Sequence, residues 1–290
     1  MLIRKKALKM QDRLGMKIGV TYGVSTIPIV KTIDQALEAL RELYKVGFRA
    51  LVLPPELFAN IQDTTELYKE YYGDLLRLKN IAKKFGIELS LRQTDFGDMP
   101  ENKLRLFSTI SSVMDCRTFA IHPNFYSRMP QQQALKLVVY KINEIVNELR
   151  VKAKIGIENT GRVGELGSIE DVIEICKRTT NTEPVINWAH IHARGAGYLK
   201  TQDNFRSVVD QLNRGIGQAW MRDAYFFFSG IKYGPSGELG HMSFIGSDLK
   251  LEHLIRTALS YGITGTIIFE EPEREKRIVD ILDQLGDMVR

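Results

Sequence analysis

Cysteine is scarce in this 290-residue chain. Cys116 and Cys176 are the only two, far apart and outside any CxxC pair. That spacing gives no support to a zinc ribbon or a thioredoxin-like redox site, and it fits a reducing, cytoplasmic setting. Long apolar runs are missing as well. No stretch approaches the roughly 18 uncharged residues of a membrane span. The opening MLIRKKALKMQDRLG has basic residues with no apolar run behind them, so neither an anchor nor a secretory signal is expected. No GxGxxG follows the first strand candidate, so a dinucleotide-binding sheet lacks its phosphate loop. Histidine is limited to five residues, and where they fall becomes the most informative feature.

The rest is ordinary globular material, 44% hydrophobic and 26% charged, enough for one large core. The net charge of +5 is compatible with a phosphate-bearing partner. A solvated basic surface explains it equally well. Short β-branched or apolar runs recur at 17–22 (KIGVTY), 50–53 (ALVL), 87–92 (IELSLR), 118–122 (TFAIH), 154–159 (KIGIEN), 184–188 (PVINW), 224–229 (AYFFFS) and 265–270 (GTIIFE). Near-continuous apolar character suits strands covered on both faces. Amphipathic helical segments are expected at 32–45, 66–85, 131–149, 168–178, 204–212, 249–261 and 273–285, with Gly47, Gly86 and Gly262 as stops. Ser168 and Asp171 make a capping-box-like start. Strand followed by helix, eight times over, predicts a (β/α)₈ (TIM) barrel as a single domain over 17–290. Residues 1–16 carry Arg4, Lys5, Lys6, Lys9 and Arg13. They read as a basic N-terminal extension, a loosely packed helix rather than a nucleic-acid arm.

The C-terminal strand ends of such a barrel share one mouth, where catalytic residues gather. The fourth strand ends at His122 and the fifth at Glu158. The sixth leads into Asn187, His190 and His192, the eighth ends in Glu270-Glu271, and His241 is expected in the long loop after the seventh. Only His253 falls inside a helical pattern. Imidazoles mixed with carboxylates suit zinc, manganese or iron(II). A divalent ion would polarise a phosphoryl or carbonyl oxygen and acidify water. A carboxylate buried at a barrel mouth is costly without a cation or donor, which singles out Glu158. Glu158 and Glu270 are the candidate catalytic pair. Arg92, Asn187, His192 and Arg194 are candidate substrate-binding residues. Glu271, on the opposite face of its strand from Glu270, is expected to be solvated. Trp188, Phe125 and Tyr126 read as core beneath the loops, with stacking on DNA as their other use.

In IHPNFY, IENTG, NWAHIHARG, FSGIKYG with GHMSFIG, and IIFEEP, the chain resembles the endonuclease IV family from first strand to last helix. The resemblance implies a barrel that cuts DNA beside abasic sites with three clustered ions, normally zinc. It assigns His122 to the first metal, Glu158 as a bridge to the second, Glu270 to the second, and His190 and His241 to the third. Four ligand positions depart from the pattern. Arg92 stands where the third strand should offer histidine, Asn187 where the sixth should offer aspartate, and Phe227 where the seventh should offer histidine. Leu239-Gly240-His241 has lost the aspartate of an Asp-Arg-His segment. Gln93, Asp95, His192 and Glu271 are the nearby residues that could substitute. The ligand set is therefore incomplete for three ions, and Arg92 opposes cation binding further. The expectation is a metal-dependent phosphodiesterase acting on abasic duplex DNA with a reduced site, zinc first and manganese second. Its alternatives are a catalytically degenerate homologue that still binds DNA, with Arg92 on a phosphate, and a metal-dependent sugar isomerase or epimerase.

Overall fold

The computed structural model describes residues 2–94, 101–123, 129–149 and 152–288. The eight apolar runs become parallel strands β1 (Met16–Thr21), β2 (Ala50–Leu53), β3 (Glu88–Gln93), β4 (Thr118–Ile121), β5 (Lys154–Glu158), β6 (Thr182–Asn187) and β7 (Ala224–Phe228), closed by the last strand, Gly265–Phe269. That strand is β10, because an antiparallel hairpin of β8 (Gly230–Gly234) and β9 (Gly237–Met242) intervenes. The sequence reading missed this hairpin and placed His241 in a loop. His241 belongs to β9, whose polar, glycine-rich GELGHM carries no strand-like alternation of apolar residues.

The helices are α1 (Leu2–Leu14), α2 (Ile33–Val46), α3 (Thr64–Glu66), α4 (Tyr72–Phe85), α5 (Glu101–Val113), α6 (Gln131–Leu149), α7 (Ile169–Arg178), α8 (Trp188–Arg194), α9 (Gln202–Ile216), α10 (Leu251–Tyr261), α11 (Glu275–Asp280) and α12 (Leu282–Met288). Their ends follow local chemistry. Thr32 caps α2 by accepting from the Gln35 N–H, and Gly47, at φ +87°, closes it by donating to Leu43. The Ser168–Asp171 capping box forms as expected. Helices α5 and α8 were not anticipated, and the single helix expected over 273–285 is two.

Two apolar layers form. Ala50, Val52, Ala120, Val185, Tyr225, Phe227 and Ile268 fill the barrel interior. A larger shell packs the outer strand faces against the helices. Trp188 lies in this shell against Phe205 and Phe226, with ring centroids 5.0 and 5.4 Å away. It is core, not a stacking residue. Phe125 and Tyr126 lie outside the described residues. The N-terminal extension is no loose appendage. Ala7, Met10 and Leu14 are buried, and Gln11 donates to Gly47 O while accepting the Ile18 N–H. These contacts fasten α1 to the end of the barrel opposite the mouth. Among the described residues, no helix is long and apolar enough to cross a membrane.

Candidate functional site

Arg92, on β3, points into the barrel mouth and is 4% exposed. Its Nε and Nη2 donate to the two oxygens of Glu158, at 2.7 and 2.5 Å, a bidentate pairing. Nη1 donates to Glu270 Oε1 at 2.5 Å. His122 Nε2 lies 3.3 Å from Nη2 and 3.1 Å from Glu158 Oε1. The guanidinium carbon sits 4.4 Å from the centre of the Phe227 ring, in cation–π range. Tyr22, just beyond β1 at φ +65°, lines the mouth together with Arg92, and burial raises its hydroxyl. Asn187, at the end of β6, donates from Nδ2 to Glu158 and to Glu270, 3.0 Å each. Its Oδ1 accepts the His190 N–H and starts α8. Asn159 zips β5 to β6 by accepting the Asn187 N–H and donating to Asn187 O.

This inner cluster is electrostatically closed. Burial alone would raise the Glu158 carboxyl, but the Arg92 guanidinium and then His122 hold it well below the usual range. Glu270 is likewise lowered against burial, chiefly by Arg92. Glu158 and Glu270 in turn keep Arg92 charged. A guanidinium occupies the space between the two carboxylates, where a bridging ion would have to sit. His122, Glu158 and His190 also bring ligand atoms within 4.8 Å of one another, but both Glu158 oxygens are already taken by the guanidinium. The inner residues therefore present no free site for a metal, and Glu158 and Glu270 are anions with a fixed counterion rather than poised bases.

The outer part of the mouth is different. His190 is 2% exposed, and burial pushes it down to about 3, so its ring is neutral. Its Nδ1–H donates to Asn159 O at 2.8 Å, so with Asn187 Nδ2 3.4 Å away the acceptor of the ring is Nε2. That nitrogen lies 3.4 Å from Glu238 Oε2, while Glu238 Oε1 lies 3.5 Å from His241 Nε2. His241 Nδ1 is 2.7 Å from Ser229 Oγ. His190, Glu238 and His241 each offer a ligand atom, all within 4.8 Å of one another. Two imidazoles and a carboxylate, each imidazole oriented through its other nitrogen, fit a divalent ion. The hairpin brings Glu238 here. Glu238 N–H donates to Gly161 O, Val163 N–H to Ser236 O, and Arg162 bridges Gly237. Gly161 is a cradle, since a Cβ there would strike the Glu238 carboxylate and crowd His190. Glu238 was missed in the sequence. Its only signal was its position three residues before His241 in ELGH.

A cavity of about 400 Å³ opens over both clusters, lined in part by Tyr22, Arg162, Glu165, Glu238 and Glu270. Burial raises Glu165, in contrast to the lowered inner pair. His122, Glu158, His190, His241 and Glu270 thus all converge on one mouth. Two candidate substrate-binding residues are committed elsewhere. His192 accepts the Leu199 N–H at Nδ1 and faces Asp248 through Nε2 at 3.0 Å. Arg194 donates to Thr160 Oγ1 and to the carbonyls of Arg162, Val163 and Glu165, bracing the loop after β5. Arg92 and Asn187 face the mouth but spend their donors on the glutamates. Glu271, expected in solvent, is 1% exposed and accepts from Phe244 N–H and Ser243 Oγ. Asp95 lies outside the described residues.

The family described as xylose isomerase-like TIM barrel matches residues 40–288. An uncharacterized protein of Methanocaldococcus jannaschii is 22% identical, over 90% of this chain and 95% of its own length. Among solved structures, a D-tagatose 3-epimerase-like protein superposes with a TM-score of 0.66 at 18% identity, covering 94% of this chain and 98% of its own. The IOLI protein with a bound zinc atom gives 0.64 at 14%, with 94% and 98% coverage. At these identities the structures establish the fold alone.

Proposed function

The chain belongs to the xylose isomerase-like TIM barrel family, and we propose that it is a one-cation member of it. In this reading His190, Glu238 and His241 hold a divalent ion, zinc first and manganese second, beside a small polar ligand in the cavity. This reading sets aside cleavage of abasic DNA by an ion cluster. The observation that carries this is the outer triad, pre-oriented and cradled by Gly161, beside an inner pair already filled by Arg92.

An ion so held supplies Lewis acidity to a ligand oxygen. The chain's own residues do the rest. Neutral His190 keeps a lone pair directed at the site because burial and the Asn159 carbonyl fix its protonation. Glu165, whose carboxyl burial raises, is the carboxyl of the cavity that holds a proton most readily. Arg162 and the Tyr22 hydroxyl offer donors to ligand oxygens. Charge supports a small ligand over a polyanion. Glu158, Glu165, Glu238 and Glu270 face Arg92 and Arg162, a formal balance of −2 with Glu165 ionised, which one divalent ion brings to zero. A duplex needs excess positive charge to hold its phosphates.

Titration of metal-free protein with zinc and with manganese tests the reading. One ion per chain is expected, lost in Glu238→Gln. An abasic duplex incubated with loaded protein should stay intact, and any binding should be weak. Metal-dependent incision that Glu158→Gln abolishes would restore the nuclease reading.

A further inference from the structure

We propose that Arg92 is a built-in cation that excludes metal from the inner cluster, so that His122, Glu158 and Glu270 take up an ion only when the guanidinium is removed. The inference extends the one-cation reading but does not depend on the outer triad being the site in use.

Three observations make the guanidinium a resident rather than a passer-by. First, both Glu158 oxygens and Glu270 Oε1 are taken by separate nitrogens of the one group. An incoming ion would have to break all three charge-assisted bonds at once. Second, the face of the group rests on Phe227, a residue that offers no ligand atom and whose ring supports a planar cation. Third, Asn187 bonds Glu270 Oε2, the one oxygen the guanidinium leaves, and shares Glu158 Oε1 with it, as an uncharged donor. An aspartate there would add a third carboxylate to two that already outnumber the guanidinium. Arginine, phenylalanine and asparagine are mutually consistent, and together they leave no open coordination position between the two glutamates. An arginine stays charged across the whole working pH range. The two inner glutamates therefore keep the same counterion whatever the metal supply.

The same geometry holds a suppressed site. With Arg92 gone, two carboxylates and the His122 imidazole would face one another across a vacated space, a nitrogen-and-oxygen set suited to zinc or manganese.

The test separates the clusters. In Glu238→Gln/His241→Ala, where the outer triad is disabled, calorimetry with zinc should detect no stoichiometric binding. Adding Arg92→Gln should create one zinc equivalent per chain and a zinc-dependent rise in melting temperature. Adding Glu158→Gln to that should remove both. Arg92→Lys, which keeps a charge in place, should gain nothing. If Arg92→Gln recovers from denaturant in zinc but not in chelator, the gain is read from refolding instead. A stoichiometric inner ion in the Arg92-containing background overturns the proposal. So does an Arg92→Gln chain that takes up no zinc in either format. Neither result touches the outer triad, whose own test is the loss of binding in Glu238→Gln.

Discussion

Replacing Arg92 with methionine removes the charge while keeping much of the volume. Glu158 is fully buried and Glu270 nearly so, and one oxygen of each lies 3.0 Å from Asn187 Nδ2. Two like charges on the order of 6 Å apart repel by about 3 kcal/mol at an effective dielectric of about 20. Losing one partner of a buried pair costs about 3–5 kcal/mol in general, so the two figures agree. The melting temperature should fall by about 10 °C. The pH dependence carries the diagnosis. Without the guanidinium, burial and mutual repulsion raise one carboxyl above its unfolded value. A raised carboxyl is a penalty at high pH that fades as pH falls and the folded state takes up the proton. The gap between wild type and Arg92→Met should therefore be wide at pH 8 and narrower at pH 5, measured by denaturant titration at each. Arg92→Met/Glu158→Gln/Glu270→Gln should recover most of the loss, because no charge is left unpaired. A loss below about 1 kcal/mol, or a gap no smaller at pH 5, would refute the account of a buried ion triad.

Three further outcomes are expected. The wild-type chain should lose stability as pH falls below about 6.5. His190, lowered to about 3, stays neutral in the fold but gains a proton once unfolded, and the depressed Glu158 and Glu270 add their loss at lower pH. Each proton of difference contributes a slope of about 1.4 kcal/mol per pH unit; flat stability from pH 7 to pH 4 would contradict it. Gly161→Ala should weaken zinc binding at the outer triad by about tenfold or more and lower the melting temperature as well, since its Cβ meets both the Glu238 carboxylate and the Glu238 Cβ fixed to the hairpin backbone. Calorimetry would show unchanged affinity if Glu238 is no ligand. Burial pushes both Cys116 and Cys176 up to about 12. Thiol reagents at pH 8 should label neither within the time that suffices in denaturant, and fast native labelling of either would mean the local packing is open.

The barrel was legible because its signal is periodic and repeated. All eight parallel strands appear within about two residues of the expected runs, since burial on both faces demands apolar continuity that loops lack. Strand ends then indicated the mouth, and His122, Glu158, His190, His241 and Glu270 do meet there. What stayed hidden was set by tertiary contacts. The hairpin of β8 and β9 is polar and held by the loop after β5, so no periodicity announced it, and Glu238 was invisible as a partner for His190. Glu271 looked solvent-facing by alternation, but the chain after β9 folds over it and supplies Phe244 N–H and Ser243 Oγ. His192 and Arg194 looked chemical by residue type, yet each is satisfied by loop backbone or by Asp248. Strand alternation gives the direction of a side chain but not what the next loop places over it.

The four departures from the endonuclease IV pattern were read at first as separate losses, each subtracting a ligand. In three dimensions three of them are one substitution of a cation for a cation. Arg92 supplies positive charge where ions would have been, Phe227 gives its planar face a support, and Asn187 ties the two glutamates without adding charge. Glu158 and Glu270 could persist in a buried mouth only because that charge is present, since an unpaired buried carboxylate is costly. The fourth departure is different in kind. The aspartate missing at Leu239 is answered one residue earlier by Glu238, which reaches His190 and His241 from the hairpin. A longer side chain from the neighbouring position restores a carboxylate to the triad, whereas nothing among the described residues restores a ligand at the inner pair. The two halves of the mouth therefore differ: the inner carboxylates hold a covalently attached cation, and the outer triad presents three ligand atoms within 4.8 Å of one another.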